Sequence, residues 1–149
     1  MISFDTNIAV YALNRAMPGH GRAYDFLSRL SDHDGVIVCE LVLVELYLLI
    51  RNPAVFVKPY SSADAVEVCR RYRSNPRWRI VECEDVMDRV WTIAGDPGFA
   101  RRRIVDARLA FTLLRAGVTE LATRNVQDFR GFGFERVWDP TASTGGEHR

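Results

Sequence analysis

The chain has 149 residues, 48% of them hydrophobic and 26% charged, the proportions of one compact globular domain rather than a disordered or collagen-like polymer. Its formal net charge of +1 argues against a nucleic-acid binder whose whole surface is basic, although local charge can still matter. The longest apolar stretch, residues 41–50, is interrupted by Glu45 and falls well short of the roughly 20 residues needed to span a bilayer. The first residues carry an acid at position 5 and no basic stretch ahead of a long apolar run, so no secretory leader is read and a cytoplasmic location is expected.

Residues 1–4 read as a short buried strand, and Asp5, Thr6 and Asn7 start an amphipathic helix through residue 13. Helical spacing of Ala23, Phe26, Leu27 and Leu30 predicts a second helix, and the turn at 32–35 leads into a β-branched strand at 36–38. A helix from about residue 40 to 51 must stop before Pro53, because a residue preceding proline is pushed out of the α region. Residues 53–60 form a loop, Ser61 to Asp64 resembles a helix start, and that helix ends near Asn75 and Pro76. A strand at 79–81, a helix at 85–94 closed by a glycine-rich loop, and the longest helical pattern at 101–116 follow, with Gly117 as the stop.

Strands are predicted at 119–122 and 134–138, on either side of residues 125–133. Residues 1–140 form the domain, and residues 141–149 are expected to be a disordered polar tail. Strands alternating with helices along the whole chain predict an α/β sandwich around a mainly parallel sheet.

Cys39, Cys69 and Cys83 are widely spaced and odd in number, which fits buried reduced thiols rather than disulfides. The histidines, His20, His33 and His148, share no helical spacing, so a zinc site of Cys and His is not expected. Lys58 is the sole lysine. Arginines cluster at Arg70, Arg71, Arg73, Arg77 and Arg79, and again at Arg101, Arg102, Arg103 and Arg108. Such forks suit phosphate oxygens, but by composition alone a codon bias that replaces lysine with arginine, together with ordinary solvated helix faces, is the favoured explanation.

In an open parallel sheet, ligands bind beyond the carboxyl ends of the strands. Asp5 follows the first strand; Thr123, Asn125 and Asp128 follow the strand at 119–122; Cys39 and Glu40 follow the second and lead to Glu45. Asp106 has Leu109, Ala110, Leu113 and Leu114 at its helical neighbour positions, so it lies on an apolar stripe. A carboxylate there is costly unless paired, protonated or bound to a metal. Glu45 is similar, flanked by Leu41, Val42, Leu48 and Leu49. Each acid also has a structural alternative: Asp5 as a helix cap, Asp128 as a turn residue, Glu45 or Asp106 in a buried pair with arginine.

Together the acids suit magnesium, which needs a few converging oxygen ligands and keeps waters. Without a histidine base, a nucleophilic serine elbow or a phosphate-cradling glycine loop, the matching chemistry is metal-assisted phosphodiester hydrolysis by water. Thr6, Asn7, Thr123 and Asn125 are placed to orient ligands or water through hydrogen bonds.

In order, FDTNIAVYALN, VLVELYLLIRNP, RRIVDARLAFTLLRAG and LATRNVQDF resemble the motifs of PIN-domain nucleases, most closely VapC-type toxins. The resemblance runs from the first strand to the closing strand at 134–138. It implies a three-layer PIN-like sandwich and an endoribonuclease dependent on Mg2+ or Mn2+. It further implies neutralisation by a small cognate antitoxin, and commonly a homodimer. The family's acids fall on Asp5, Glu45, Asp106 and Asp128, with Asp5, Asp106 and Asp128 as the expected metal ligands. Its last hydroxyl and amide fall on Thr123 and Asn125.

One departure is Cys39 followed by Glu40 at the end of the second strand, where the family often has a small hydroxyl residue. Glu40 is either an additional carboxylate of the site or a charge favouring the helix N-terminus. Arg101, Arg102 and Arg103, at the start of the helix bearing Asp106, are expected to hold RNA. The apolar helices near Phe56, Trp78 and Trp91 are expected to receive the antitoxin. A phosphoacceptor signalling domain would need a lysine at a strand end, and Lys58 lies in a loop. A non-catalytic binding module would be favoured by a lost carboxylate, and none is lost.

Overall fold

The computed structural model describes residues 1–82 and 85–143. In chain order the elements are β1 (Ile2–Phe4), α1 (Thr6–Leu13), α2 (His20–Ser31), β2 (Val36–Cys39), α3 (Glu40–Ile50), α4 (Ser62–Arg73) and β3 (Trp78–Val81). They continue with α5 (Met87–Ala94), α6 (Arg103–Arg115), β4 (Glu120–Ala122), α7 (Val126–Phe129) and β5 (Arg136–Trp138). The strands form one sheet in the order β3-β2-β1-β4-β5, and every pairing is parallel.

This order puts β1 in the middle. The chain moves outward through β2 and β3, then returns to the other side of β1 for β4 and β5. Parallel crossovers are right-handed. The outward half therefore lays α1 to α4 on one face, and the returning half lays α5 to α7 on the other. Helix contacts follow the same division, with α1 against α2 and α3, α3 against α4, and α6 against α5 and α7. Where the direction of winding reverses, beside β1, the strand ends leave a crevice.

Burial on both faces explains the strand sequences. All four residues of β2 are buried, as a β-branched run between two helical layers must be, whereas β5 at the edge is half-buried to exposed. Phe4, Ile37, Val38 and Leu121 belong to one continuous core, which α1 and α6 complete with Ile8, Ala9, Ala110 and Leu113.

Helix ends match their local chemistry. The Ser61 side chain accepts from the Asp64 backbone N–H and caps α4. At the end of α6, Gly117 takes φ 98°. The Gly117 N–H then reaches Leu114 O at 3.1 Å and the Val118 N–H reaches Leu113 O at 2.9 Å, satisfying two final carbonyls.

Several expectations need correction. Between the last two strands, where no element is predicted, lies a short helix, α7, too brief for a periodic pattern to reveal. The longest helix begins at Arg103, leaving Arg101 and Arg102 in the preceding turn. Cys39 is buried, Cys69 only half so, and Cys83 lies outside the described residues.

The tail does not begin at Thr141, which is buried. Its hydroxyl donates to Asp139 Oδ1 at 2.6 Å and accepts from Arg124 Nη1 at 3.0 Å, and its carbonyl accepts from Arg22 Nη1 at 3.3 Å. Residues 144–149 lie outside the described residues. Among the described residues no helix is long and apolar enough to cross a membrane.

Candidate active site

Asp5 is where β1 ends and α1 begins. Its backbone is extended (φ −81°, ψ 158°), so the residue closes the strand ladder through its N–H to Ala122 O at 2.9 Å and caps the helix with its side chain. Oδ1 accepts from the Thr6 N–H at 2.8 Å. Oδ2 accepts from Thr123 Oγ1 at 2.9 Å and from Asn7 Nδ2 at 3.1 Å. The residue is 8% exposed, and three of the four acceptor directions of its carboxylate are thus taken by the chain itself. The remaining direction belongs to Oδ1.

Strand register explains the partnership with Thr123. Phe4 pairs with Ala122, so the next residue of each strand, Asp5 and Thr123, emerges at the same level of the crevice. Thr123 Oγ1 also accepts from the Asn125 N–H at 3.0 Å. Asn7 lies between the two strand ends, with Nδ2 3.4 Å from Thr123 Oγ1 and Oδ1 accepting from the Arg124 N–H at 3.2 Å. The Arg124 guanidinium lies 3.9 Å over the Tyr11 ring, clamping the β4 loop onto α1. Arg124 and Tyr11 carry no charge pattern that would single them out in the sequence.

Glu45 reaches the same crevice from α3. Thr6 Oγ1 lies 3.3 Å from Glu45 Oε2 and 3.5 Å from Val42 O, and its single proton can serve either acceptor. Asp106 stands in the first turn of α6, and Asp128 on α7.

The electrostatics tie these four acids together. Burial raises the Asp5 carboxyl, opposed by the hydrogen bonds from Thr123 and Thr6, and the charge of Asp128 raises it further. Burial also raises Glu45, followed by the charge of Asp5, with Asp106 adding to the effect. Asp106 is pushed up to about 6 by burial, then by the charges of Asp5 and Asp128, while Arg103 and Arg102 pull it down. Each of the four carboxylates, at the start of α1 and on α3, α6 and α7, thus lies within electrostatic reach of at least two of the others.

Glu40 does not join them. It forms an ion pair with Arg73, whose Nε lies 2.9 Å from both carboxylate oxygens, linking the start of α3 to the end of α4. Cys39 Sγ–H points to Glu82 O at 3.6 Å, so the second strand ends in a structural contact.

The arginine trio divides. Arg101 and Arg102 are exposed, but Arg103 is half-buried, with Nη2 donating to Asp128 O at 3.2 Å and its guanidinium 5.1 Å from the Phe132 ring centroid. The expected antitoxin surface also changes. Phe56 and Trp78 are core residues at 5% and 9% exposed, whereas Trp91 is 59% exposed. Trp78 instead forms one wall of a cavity of about 320 Å3 between α1, α2 and α4, shared with Leu13, Tyr24, Leu27 and Tyr72.

A PIN-domain family model matches residues 2–134. The chain is 52% identical over 145 residues to ribonuclease VapC24 of Mycobacterium tuberculosis, covering 97% of this chain and all of that one. Among solved structures, M. tuberculosis VapC20, described as a sarcin-ricin loop cleaving toxin, superposes with a TM-score of 0.68 at 18% identity over 90% of this chain and 96% of its own. FitAcB of Neisseria gonorrhoeae does so with a TM-score of 0.62 at 21% identity, over 94% and 98%. Matched by the family model over most of its length and by a 52% identical relative over nearly all of it, the chain belongs to the PIN-domain family and, within it, to the VapC ribonucleases.

Proposed function

We propose that the chain is a divalent-metal-dependent endoribonuclease toxin whose catalytic acids are Asp5, Glu45, Asp106 and Asp128. The observation that carries this reading is the repulsion that adds to burial at these acids: Asp128 raises Asp5 and Asp106, Asp5 raises Glu45 and Asp106, and Asp106 raises Glu45. Groups that repel one another across a partly buried pocket are held together at a cost, and a cation removes it.

The donor set fits Mg2+ or Mn2+. It consists of carboxylate, hydroxyl and amide oxygens, with neither thiolate nor imidazole among them. Among the described residues no three acids, histidines or cysteines already enclose one point. Magnesium requires no such cage, since it takes one or two carboxylates and keeps its waters. Asp5, Asp106 and Asp128 would hold the ion, one or two of them directly and the remainder through its waters, and the ion would supply acidified water and charge neutralisation at the phosphodiester.

The chain's own residues do the rest. Thr123 and Asn7 fix the Asp5 carboxylate in one orientation, and the Asn125 N–H fixes the Thr123 hydroxyl. Thr6 positions Glu45, the acid best placed outside the ion's ligand set to accept a proton from water. Because the nucleophile is water rather than the ribose 2′-hydroxyl, cleavage leaves a 5′-phosphate and a 3′-hydroxyl.

The partner in this reading is a small cognate antitoxin, and the apolar cavity between α1, α2 and α4 suits an amphipathic segment of it. A homodimer is the proposed assembly. Incubation of the purified chain with single-stranded RNA tests the activity. Cleavage should require Mg2+ or Mn2+, stop with chelator and yield 5′-phosphate ends. Equal cleavage in excess chelator, or 2′,3′-cyclic phosphate as the main product, would overturn the mechanism.

A further inference from the structure

Next to the acids is a second cavity, of about 640 Å3, between the end of α5, the start of α6 and the loop after α7. Its volume lies within the roughly 300–1,000 Å3 of small-ligand sites. Three arginines converge on it: Arg89 from α5, Arg103 from α6 and Arg130 after α7. One acid, Asp96, shares the rim, and its Oδ1 is engaged by the Gly98 N–H at 2.8 Å.

Aromatic faces hold two of these cations. The Arg89 guanidinium lies 4.0 Å from the Phe111 centroid, and Arg103 lies 5.1 Å from that of Phe132 and 5.7 Å from that of Phe99. Phe111 and Phe132 meet edge to face at 5.4 Å and are buried, so they form the floor. Phe99 is half-buried and offers a ring to an incoming planar group. Arg103 Nε is buried without a hydrogen-bond partner, and the side chain is held by the Nη2 bond to Asp128 O and by the Phe132 ring.

Arg103 is the wall between this cavity and the acids, since its Nη2 also holds the backbone of Asp128. We propose that the cavity seats one unpaired nucleotide of the RNA strand next to the cleaved phosphodiester, its base on Phe99 and its flanking phosphates on Arg89 and Arg130. Cations on aromatic floors beside an open ring are the combination that binds single strands without sequence readout. The charge matches, with three arginines against one acid. A strand crossing the acid pocket passes Arg103 to reach the cavity.

The inference rests on the ribonuclease reading, so two measurements separate their failures. Cleavage of single-stranded RNA by the unmodified chain in Mn2+ tests that reading. Binding of a fluorescent eight-nucleotide single-stranded RNA to the Asp106→Asn protein, followed by anisotropy against salt, tests the cavity.

Arg89→Gln with Arg130→Gln should weaken binding about tenfold and lower the slope of log affinity against log salt by about 1.4, since each single-strand phosphate contact contributes about 0.7. Phe99→Ala should weaken binding about tenfold with the slope unchanged. Arg29→Gln with Arg70→Gln, which removes two exposed arginines from α2 and α4, should change neither. Circular dichroism confirms that each variant is folded. Unchanged affinity in the Arg89 and Arg130 variant, or an equal loss in the Arg29 and Arg70 variant, would overturn the proposal. So would a loss of antitoxin binding without loss of RNA binding.

Discussion

The hydroxyl of Thr123 donates to Asp5 Oδ2 at 2.9 Å, joining the carboxyl ends of β4 and β1 across 118 positions of sequence. Because the same oxygen accepts from the Asn125 N–H, the Thr123 proton is directed at the carboxylate and nowhere else. Thr123→Val keeps the shape and removes both functions. It should raise the Asp5 carboxyl further, leave the Asn125 N–H without its acceptor at a cost of about 1–3 kcal/mol, and weaken Mn2+ binding and cleavage at least about tenfold. Thr123→Ser should retain most activity. Calorimetric Mn2+ titration alongside a cleavage assay distinguishes the two variants.

Asp106→Asn should abolish most cleavage and yet stabilise the metal-free fold. The Asp106 carboxyl titrates near 3.8 when unfolded and at about 6 when folded. The folded state therefore binds more protons between those values, and its stability falls as pH rises through that window. The penalty is complete above about pH 6 and absent below about 3.8. Solvent screening of this half-exposed group reduces its size. The variant should melt about 2–6 °C above the unmodified protein at pH 7.5 in chelator, with the difference closing toward pH 4. Thermal melts at several pH values check this, and a lower melting temperature at pH 7.5 would contradict it.

Metal binding should show the opposite dependence on acid. A ligand must be deprotonated to bind, so protonation of Asp106 below about pH 6 should weaken Mn2+ affinity by about tenfold per pH unit. Saturating Mn2+ should therefore stabilise the protein more at pH 7.5 than at pH 5. Melting curves with and without Mn2+ at the two pH values measure the difference directly.

Arg103 should matter to the fold as much as to its surroundings. Its guanidinium stacks near Phe99 and Phe132 while donating to Asp128 O, so it ties α7 to α6. Arg103→Lys keeps the charge but loses the flat fork. It should cost about 1–2 kcal/mol and speed hydrogen exchange at residues 126–129 more than at β1. Uniform exchange across the chain would instead indicate a purely global effect.

Much of the fold, and the acids of the candidate site, are legible in the amino-acid sequence, for physical reasons. The all-buried run of β2 and the helical spacing of α2 are strong periodic signals, and Asp106 stands out because a carboxylate on an apolar stripe needs a reason to be there. What stays hidden depends on tertiary partners. Nothing in the spelling of Arg101, Arg102 and Arg103 tells which one turns inward, since that choice is made by Phe132, a sequence-distant ring. Glu40 has the chemistry of a ligand, and only its pairing with Arg73, from another helix, removes it from the site. Phe56 and Trp78 read as surface for a partner because aromatic residues serve both cores and interfaces. Arg89 and Arg130 escape notice for a related reason, as a cavity built by three elements has no local motif.

The bond between Asp5 and Thr123 also sets a clock. Asp5 precedes its partner after β4 by 118 positions, and the central strand has only its β2 neighbour until β4 is made. No nascent fragment that stops short of β4 can form the Asp5–Thr123 bond or the β1–β4 pairing. On the proposed reading, catalytic competence therefore arrives late in the chain's own synthesis, once β4 has been made.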